Sequence, residues 1–410
     1  MAYFEIRRWE PAIRLTGLPR KDRRAFHYRA YFPDALSGRP IMLDGNVAAD
    51  VADAETAIAR LEARARSLVD SEALARLLLR AESVASSRIE GLQVGARRLL
   101  RVDAAREFGE PETDVTALEV LGNIDAMSFG TQAVGEGDPI TVDVLLETHR
   151  RLLASTHLSQ HAGTVRTVQN WIGGSSYNPC SASFVPPPPA SVAPLLDDLC
   201  AFCNDDQLPA VAQAAIAHAQ FETIHPFVDG NGRVGRALIH LVLRRRGLAA
   251  RALPPISLIL ATHANEYLDG LNATRYEGSP DGRAAHDGLN LWIGRFASAA
   301  QRSVLEATTF EERVDELEAS WRRRLGSVRR GSATHVLLQR LPALPILTVN
   351  SAATLIGRSF LATNQAVERL VQANILASIR AGRRNRAFEA PELISVFADF
   401  ERGLASPTGG

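Results

Sequence analysis

Apolar residues recur at three- and four-residue spacing through most of this chain, and the runs lack internal proline. That pattern predicts a mainly α-helical protein. The runs cover about 48–68, 71–89, 113–134, 141–154, 190–204, 209–223, 232–247 and 286–306. The second ends at Glu90-Gly91, with glycine in the position that commonly stops a helix. Residues 1–45, broken by Pro11, Pro19, Pro33 and Pro40, read as loops with short extended pieces. Residues 163–185 break the helical rhythm. Val165, Val168, Trp171, Ile172 and Val185 alternate with polar residues around Gly173-Gly174, which predicts a β-hairpin that Pro186–Pro189 closes. Beyond Trp321 a separate piece of about 80 residues is expected, and Ala405–Gly410 reads as a disordered tail.

A length of 410 residues suggests two to four domains, and 46% hydrophobic residues can fill their cores. With aromatics at 6%, Leu, Ala, Val and Ile must do most of the packing. The net charge is zero but unevenly spread. From Trp321 onward 13 Arg face 5 acidic residues, a local +8, which leaves −8 on residues 1–320. Three cysteines, Cys180, Cys200 and Cys203, fit a reducing compartment better than a disulfide framework. Cys200-Ala-Phe-Cys203 has the spacing of a metal knuckle without a second pair, and it sits in a helical run, so ordinary burial is the expectation. No run of 18 apolar residues and no signal-peptide architecture appears, so a cytoplasmic protein without membrane contact is expected.

The candidate chemistry lies in Ile224-His225-Pro226-Phe227-Val228-Asp229-Gly230-Asn231-Gly232-Arg233-Val234-Gly235-Arg236. Pro226 disfavours helical geometry at His225, so the histidine should sit where helix gives way to loop. Gly230, Asn231 and Gly232 tolerate positive φ and can turn their N–H groups toward an anion. The helix that follows adds free N–H donors and a positive dipole end. Arg233 and Arg236, three apart, can form a fork for phosphate oxygens. Asp229 offers a hard oxygen ligand for Mg²⁺ bridging phosphates. A histidine beside such a cradle can take a proton from an attacking hydroxyl. An isolated histidine or Asp-Gly-Asn-Gly turn would read as a helix–loop–helix corner. A zinc site of His225, Asp229 and His240 is the other reading weighed, but His240 falls two turns into the helix. Seven specified residues in register have a chance probability below about one in a million in such a chain, at average residue usage.

This string resembles the signature HPFx(D/E)GNGRxxR of the Fic family of protein adenylyltransferases, with every specified position present. The resemblance extends over most of the chain. It implies an N-terminal Fic region with an inhibitory helix at 1–114, a Fic helical core with a small β-hairpin flap at 115–305, and a C-terminal winged helix-turn-helix at 321–400. It also implies AMP transfer from ATP to a Ser, Thr or Tyr hydroxyl of a target protein. His225 would be the base, Asp229 the Mg²⁺ ligand, Gly230, Asn231 and Gly232 the phosphate cradle, and Arg233 and Arg236 the clamp on the β and γ groups. The hairpin at 163–185 is similar to the family's flap, where an extended target segment can add as a strand. Ser86-Ser-Arg-Ile-Glu90-Gly91 resembles the inhibitory motif (S/T)xxxE(G/N). Ser86 and Glu90 are one helical turn apart, and the Glu90 carboxylate would pair with Arg236 and displace the γ-phosphate. Glu266–Leu271 and Leu291–Phe296 resemble the helices that close the core. Tyr267 there reads either as a nucleoside platform or as core.

The tail module, Val349–Leu370 followed by Ile375–Phe388 with Arg380, Arg383, Arg384 and Arg386, reads as helix, glycine turn, helix and basic hairpin. An arginine-rich wing suits a DNA backbone, and the same module also suits protein docking. The partners read from the sequence are therefore ATP, a target protein along the flap, the chain itself as target or homodimer, and DNA through the tail. Three other readings stand beside AMP transfer: removal of AMP from a modified protein, use of another nucleotide donor, and a transcriptional regulator with a Fic sensor core.

Overall fold

The computed structural model describes residues 1–10, 24–67, 71–107, 109, 113–175, 177–381 and 385–403. The expected tail at 405–410 and the arginines 383 and 384 lie outside the described residues. In chain order the elements are β1 (Tyr3–Trp9), β2 (Phe26–Phe32), α1 (Gly45–Ser67), α2 (Ser71–Ile89), α3 (Ala96–Glu107), α4 (Val115–Ala133) and α5 (Val142–Leu153). Then come α6 (Val192–Cys203), α7 (Ala210–Ile224), α8 (Asn231–Arg245), α9 (Ile256–Thr262), α10 (Ala264–Ala273) and α11 (Arg283–Leu325). The last elements are α12 (Ala333–Arg340), β3 (Ile346–Leu347), α13 (Val349–Ile356), α14 (Phe360–Gln372), β4 (Ala377–Ala381), β5 (Asn385–Glu389) and α15 (Pro391–Gly403). The mainly helical expectation holds, and the described strands form two small antiparallel sheets.

The chain divides into two compact units that alternate along the sequence. One comprises Met1–Glu55, Phe129–Gly247 and Asn265–Ser298; the other comprises Thr56–Ser128, Leu248–Ala264 and Ala299–Gly410.

In the first unit, α7 is buried along its whole length, as its Ala-rich sequence with no polar face requires. It packs on α8 with Gly235 at the close approach. A Cβ there would stand 3.0 Å from both Glu222 Oε1 and Phe221 Cδ1. Trp292 of α11, fully buried, donates through Nε1 to Ala215 O at 2.7 Å and pins that helix to α7. The short extended pieces expected among the N-terminal residues pair as a β1–β2 ribbon running from Tyr3↔Phe32 to Trp9↔Phe26. Cross-strand aromatic and cation–π pairs stabilise it, among them Tyr3 stacked on Phe32 at 4.8 Å and Arg29 over Phe4 at 4.2 Å. Alternating charges on the ribbon hide the apolar alternation that marks a half-buried strand. The 163–185 segment is less regular than expected. A single antiparallel bridge, Ile172 to Phe184, replaces a ladder. Gly173 and Gly174 turn the chain with φ of +72° and +75°, and a Cβ on Gly174 would lie 2.3 Å from Ser181 O. Tyr31 N of β2 donates to Val185 O at 2.9 Å, so one edge of this flap is already occupied by the ribbon.

In the second unit, α3 was not legible from the hydrophobic pattern because arginines punctuate it. Its two apolar faces serve different clusters. Leu99 and Val102 join Val84, Val120 and Leu121, while Leu100 and Ala104 join Ile346 and Ile394. The C-terminal part runs α12, β3, α13, α14, β4, β5, α15, with sheet order β3-β5-β4. Gly357, φ +60°, makes the turn after α13, and Thr348 with Ser351 forms a capping box at its start. The expected helix at 286–306 is longer than its pattern suggested. α11 runs 43 residues to Leu325 before Gly326, φ +65°, because buried residues continue at helical spacing through Ala307, Phe310, Val314 and Trp321.

Candidate active site

His225 is the C-cap of α7, its N–H donating to Phe221 O at 2.9 Å, and it adopts a left-handed backbone with φ 50° and ψ 60°. Only Asn374 shares a positive φ among the described non-glycine residues. Pro226 excludes the helical alternative, and the left-handed state of an L-residue costs roughly 1–2 kcal/mol. Hydrogen bonds from the flap segment offset that cost. Arg166 Nε donates to His225 O at 2.8 Å, and its Nη2 donates to Pro187 O at 2.5 Å and Ile224 O at 3.3 Å. Arg166 N donates to Pro226 O at 2.9 Å. Asn170 Nδ2 donates to both His225 O and Phe227 O, at 3.1 and 2.9 Å. Arg166 is buried, and desolvation draws its pKa down to about 10, so it remains a cation at neutral pH. The side chain of His225 has the buried carboxylate of Glu222, one turn earlier, 3.8 Å from its Nδ1.

The loop after His225 is braced from inside. Phe227, fully buried, stacks on His149 at 3.8 Å with 6° between the rings. Gly163 N–H donates to His149 Nδ1 at 3.1 Å, which fixes the proton on Nε2 facing Asp229 O at 3.1 Å. Desolvation pulls the pKa of His149 down to about 4, so it is neutral. Asn231 folds back on Phe227, accepting from its N–H at 2.8 Å and donating to its carbonyl at 2.9 Å. Its side chain therefore shapes the loop, and what it can offer an anion is its backbone N–H. Gly230, φ +78°, is the N-cap of α8, and a Cβ there would meet Leu152 Cδ2 at 2.7 Å. Gly232 lies in the first turn of α8, whose amides have no carbonyl four residues back within the helix.

Arg233 is buried, and its Nη2 donates to Asp229 Oδ2 at 3.2 Å, while Nε and Nη1 make no hydrogen bond among the described residues. Two buried donors without partners thus lie in the first turn of α8. Arg236, also buried, lies one turn further along α8, its Nη1 3.5 Å from the Tyr267 hydroxyl. That hydroxyl shares a 2.9 Å hydrogen bond with His218 Nε2. Burial, then the nearby Arg236 charge, depresses the His218 pKa to about 3. Tyr267 is itself buried, with its ring against Trp292 and His218. Tyr267 is therefore a buried residue next to Arg236.

Asp229 keeps its carboxylate half exposed at the mouth of this cradle. Among the described residues no group of three or more His, Cys, Asp or Glu is arranged to hold a metal. His225, Asp229 and His240 therefore do not make a zinc site. Cys200 and Cys203 are buried free thiols, the former pushed up to about 12 by desolvation. A single exposed carboxylate does suit Mg²⁺, which takes one or two protein oxygens and completes its shell with phosphate and water.

Ser86 and Glu90 lie in the other unit. Ser86 is buried in the last turn of α2, and Glu90 is exposed in the turn just beyond it. Gly91, φ +82°, reverses the chain, with Leu92 N donating to Ser87 O at 3.1 Å. Asn123 of α4 locks this end by donating to Ser83 O at 2.8 Å and Ser87 Oγ at 3.1 Å.

The sequence reading passed over Arg166, Asn170, His149 and Glu222. Their partners are mostly backbone atoms distant in sequence, so no local spacing announces them.

Residues 139–243 match the Fic/DOC family model and residues 48–132 match the Fic/DOC family N-terminal model. The protein adenylyltransferase fic-1 of Caenorhabditis elegans is 34% identical over 154 residues, 36% of this chain and 27% of that protein. The protein adenylyltransferase Fic of Culex quinquefasciatus is 34% identical over 157 residues, 37% of this chain and 28% of that protein. The matched region thus spans little more than a quarter of these curated relatives. A Fic family protein from Desulfovibrio desulfuricans G20, of solved structure, superposes with a TM-score of 0.51 over 86% of this chain and 97% of that one. At 19% identity this likeness shows the fold alone.

Proposed function

We propose that this chain is an ATP-dependent protein adenylyltransferase. His225 removes the proton from a Ser, Thr or Tyr hydroxyl of a target protein. The resulting oxygen attacks the α-phosphorus of ATP, a new P–O bond forms, and the bond to pyrophosphate breaks. Arg233, the first-turn amides of α8 and Arg236 hold the phosphates. Asp229 would hold Mg²⁺, which when bound neutralises phosphate charge and orients the leaving group. The observation that carries this reading is the pairing of a backbone-locked histidine with Arg233, whose buried Nε and Nη1 have no hydrogen-bond partner among the described residues. With α-labelled and γ-labelled ATP, label should reach protein from the α position only. It should be lost in His225→Ala, and transfer surviving that change would remove His225 as the base.

The Ser86–Glu90 motif supports a built-in brake, with the Glu90 carboxylate competing with the γ-phosphate for Arg236. The exposed carboxylate at a helix end fixed by Asn123 suits that role. Glu90→Gly should raise self-labelling well above wild type; no increase would discard the brake. For the C-terminal piece, the order helix, strand, helix, turn, helix, hairpin, helix supports a winged helix-turn-helix. Its docking role, DNA or protein, is tested by whether residues 321–410 within the full chain confer salt-sensitive DNA retention. No described helix is long and apolar enough to cross a membrane, and the three free thiols suit a cytoplasmic setting.

A further inference from the structure

An open cavity of about 340 Å³ lies in the second unit between the last turns of α2, the loop after it, and the end of α15. Its walls are largely apolar, with Ala81, Val84 and Ala85 from α2 and Leu258 from α9. Two polar side chains also face it. Arg88 is half-buried, and its charge acts on Glu401. Glu401 of α15 has its Oε1 shut off from solvent and without a hydrogen-bond partner. A largely apolar chamber holding a half-buried guanidinium and a carboxyl oxygen that is shut off from solvent without a partner suits a ligand that bonds both.

We propose that this cavity binds a small apolar monocarboxylate, with its head group between Arg88 and Glu401 and its chain along the α2 wall. The charges select the class. Burial pushes the Glu401 carboxyl up to about 8, with Arg88 across the cavity and Arg402 on its own helix pulling it partly back. Near neutral pH it is therefore mostly protonated and can donate, while Arg88 supplies positive charge. The guanidinium of Arg402 is turned to Asp399 at 2.6 Å. A carboxylate accepts from both Arg88 and the protonated Glu401. An ammonium ion would face two arginines without an ionised acid, and a hydrocarbon would leave both polar groups unpaired. Arg88 stands between Ser86 and Glu90, so occupancy would also steady the end of α2. That regulatory consequence rests on the reading of Glu90 as a brake, whereas binding itself does not.

Titration calorimetry on the full chain with octanoate, with octylamine as comparison, tests the site. Octanoate should bind at pH 7 and weaken at least about tenfold at pH 9, as Glu401 ionises. Arg88→Gln should weaken binding at pH 7 by a similar factor. Glu401→Gln keeps a donor, so it should retain affinity and lose the pH dependence. Octylamine binding as tightly as octanoate, or octanoate binding indifferent to Arg88→Gln, would overturn the proposal. So would binding that appears only after residues 404–410 are removed, since the cavity would then belong to the chain's own end. If octanoate binds and lowers self-labelling in wild type but not in Arg88→Gln, the coupling to α2 stands; binding without that effect refutes the coupling alone.

Discussion

Arg166 donates through Nε to the carbonyl oxygen of His225 at 2.8 Å, so the flap segment grips the backbone of the proposed base. The grip matters because His225 is held at φ 50°, a conformation that the chain would leave if its carbonyl were released. Arg166→Lys replaces a planar fork with a point charge that cannot reach three carbonyls in the same geometry. We expect kcat for AMP transfer to fall roughly 10–100-fold, the scale of an ångström-level misplacement, with KM for ATP within about threefold. Asn170→Ala should move the same way by less. Steady-state kinetics on variants whose circular dichroism matches wild type decides. A rise in KM for ATP at constant kcat would assign Arg166 to nucleotide binding instead.

The helical frame was legible because apolar residues recur at helical spacing without internal proline, and the loop chemistry was legible because Pro226, Gly230 and Gly232 constrain the backbone locally. What escaped was set by distant partners. Asn231 looks like an anion ligand in sequence, yet its side chain is committed to Phe227, which only the folded loop reveals. α3 escaped because its apolar residues divide between two clusters, so neither face shows a full stripe. The ribbon was legible only as short extended pieces, because Arg7-Arg8 and His27 interrupt its apolar alternation.

His149 offers a pH test. Its folded pKa near 4 lies below the ordinary value of 6.5, so the unfolded chain binds more protons between the two. The associated stability is complete above about pH 6.5 and is lost as pH falls through 4, a term of order 3 kcal/mol. Imidazole NMR should show His149 neutral, protonated on Nε2, down to about pH 5. Urea unfolding should lose stability more steeply between pH 6.5 and 4 in wild type than in His149→Phe, which retains the stack on Phe227. Parallel curves would mean that His149 titrates normally.

Gly230 is a position in the cradle poorly able to carry a side chain. Its φ is +78°, and an added Cβ meets Leu152 Cδ2 at 2.7 Å. The left-handed cost is roughly 1–2 kcal/mol, before Leu152 is displaced. Gly230→Ala should therefore lower the thermal midpoint and weaken ATP binding at least tenfold, by shifting the first turn of α8. In a double-mutant cycle Gly230→Ala should cost less in a Leu152→Ala background than in wild type; an equal cost would show that backbone conformation alone sets it.

Tyr267 separates a supporting role from a direct one. Its hydroxyl lies 2.9 Å from His218 Nε2 and 3.5 Å from Arg236 Nη1, and its ring packs against Trp292. If the ring stacked on a nucleoside, Tyr267→Phe would preserve that contact and leave ATP binding unchanged. If the hydroxyl braces Arg236, the same change leaves the buried His218 nitrogen unsatisfied at about 1–3 kcal/mol and loosens the guanidinium. We expect a lower thermal midpoint and a severalfold weaker affinity for ATP, with a smaller change for AMP, which lacks the phosphates that Arg236 is proposed to hold. ATP affinity left unchanged by Tyr267→Phe would place the ring at the nucleoside instead.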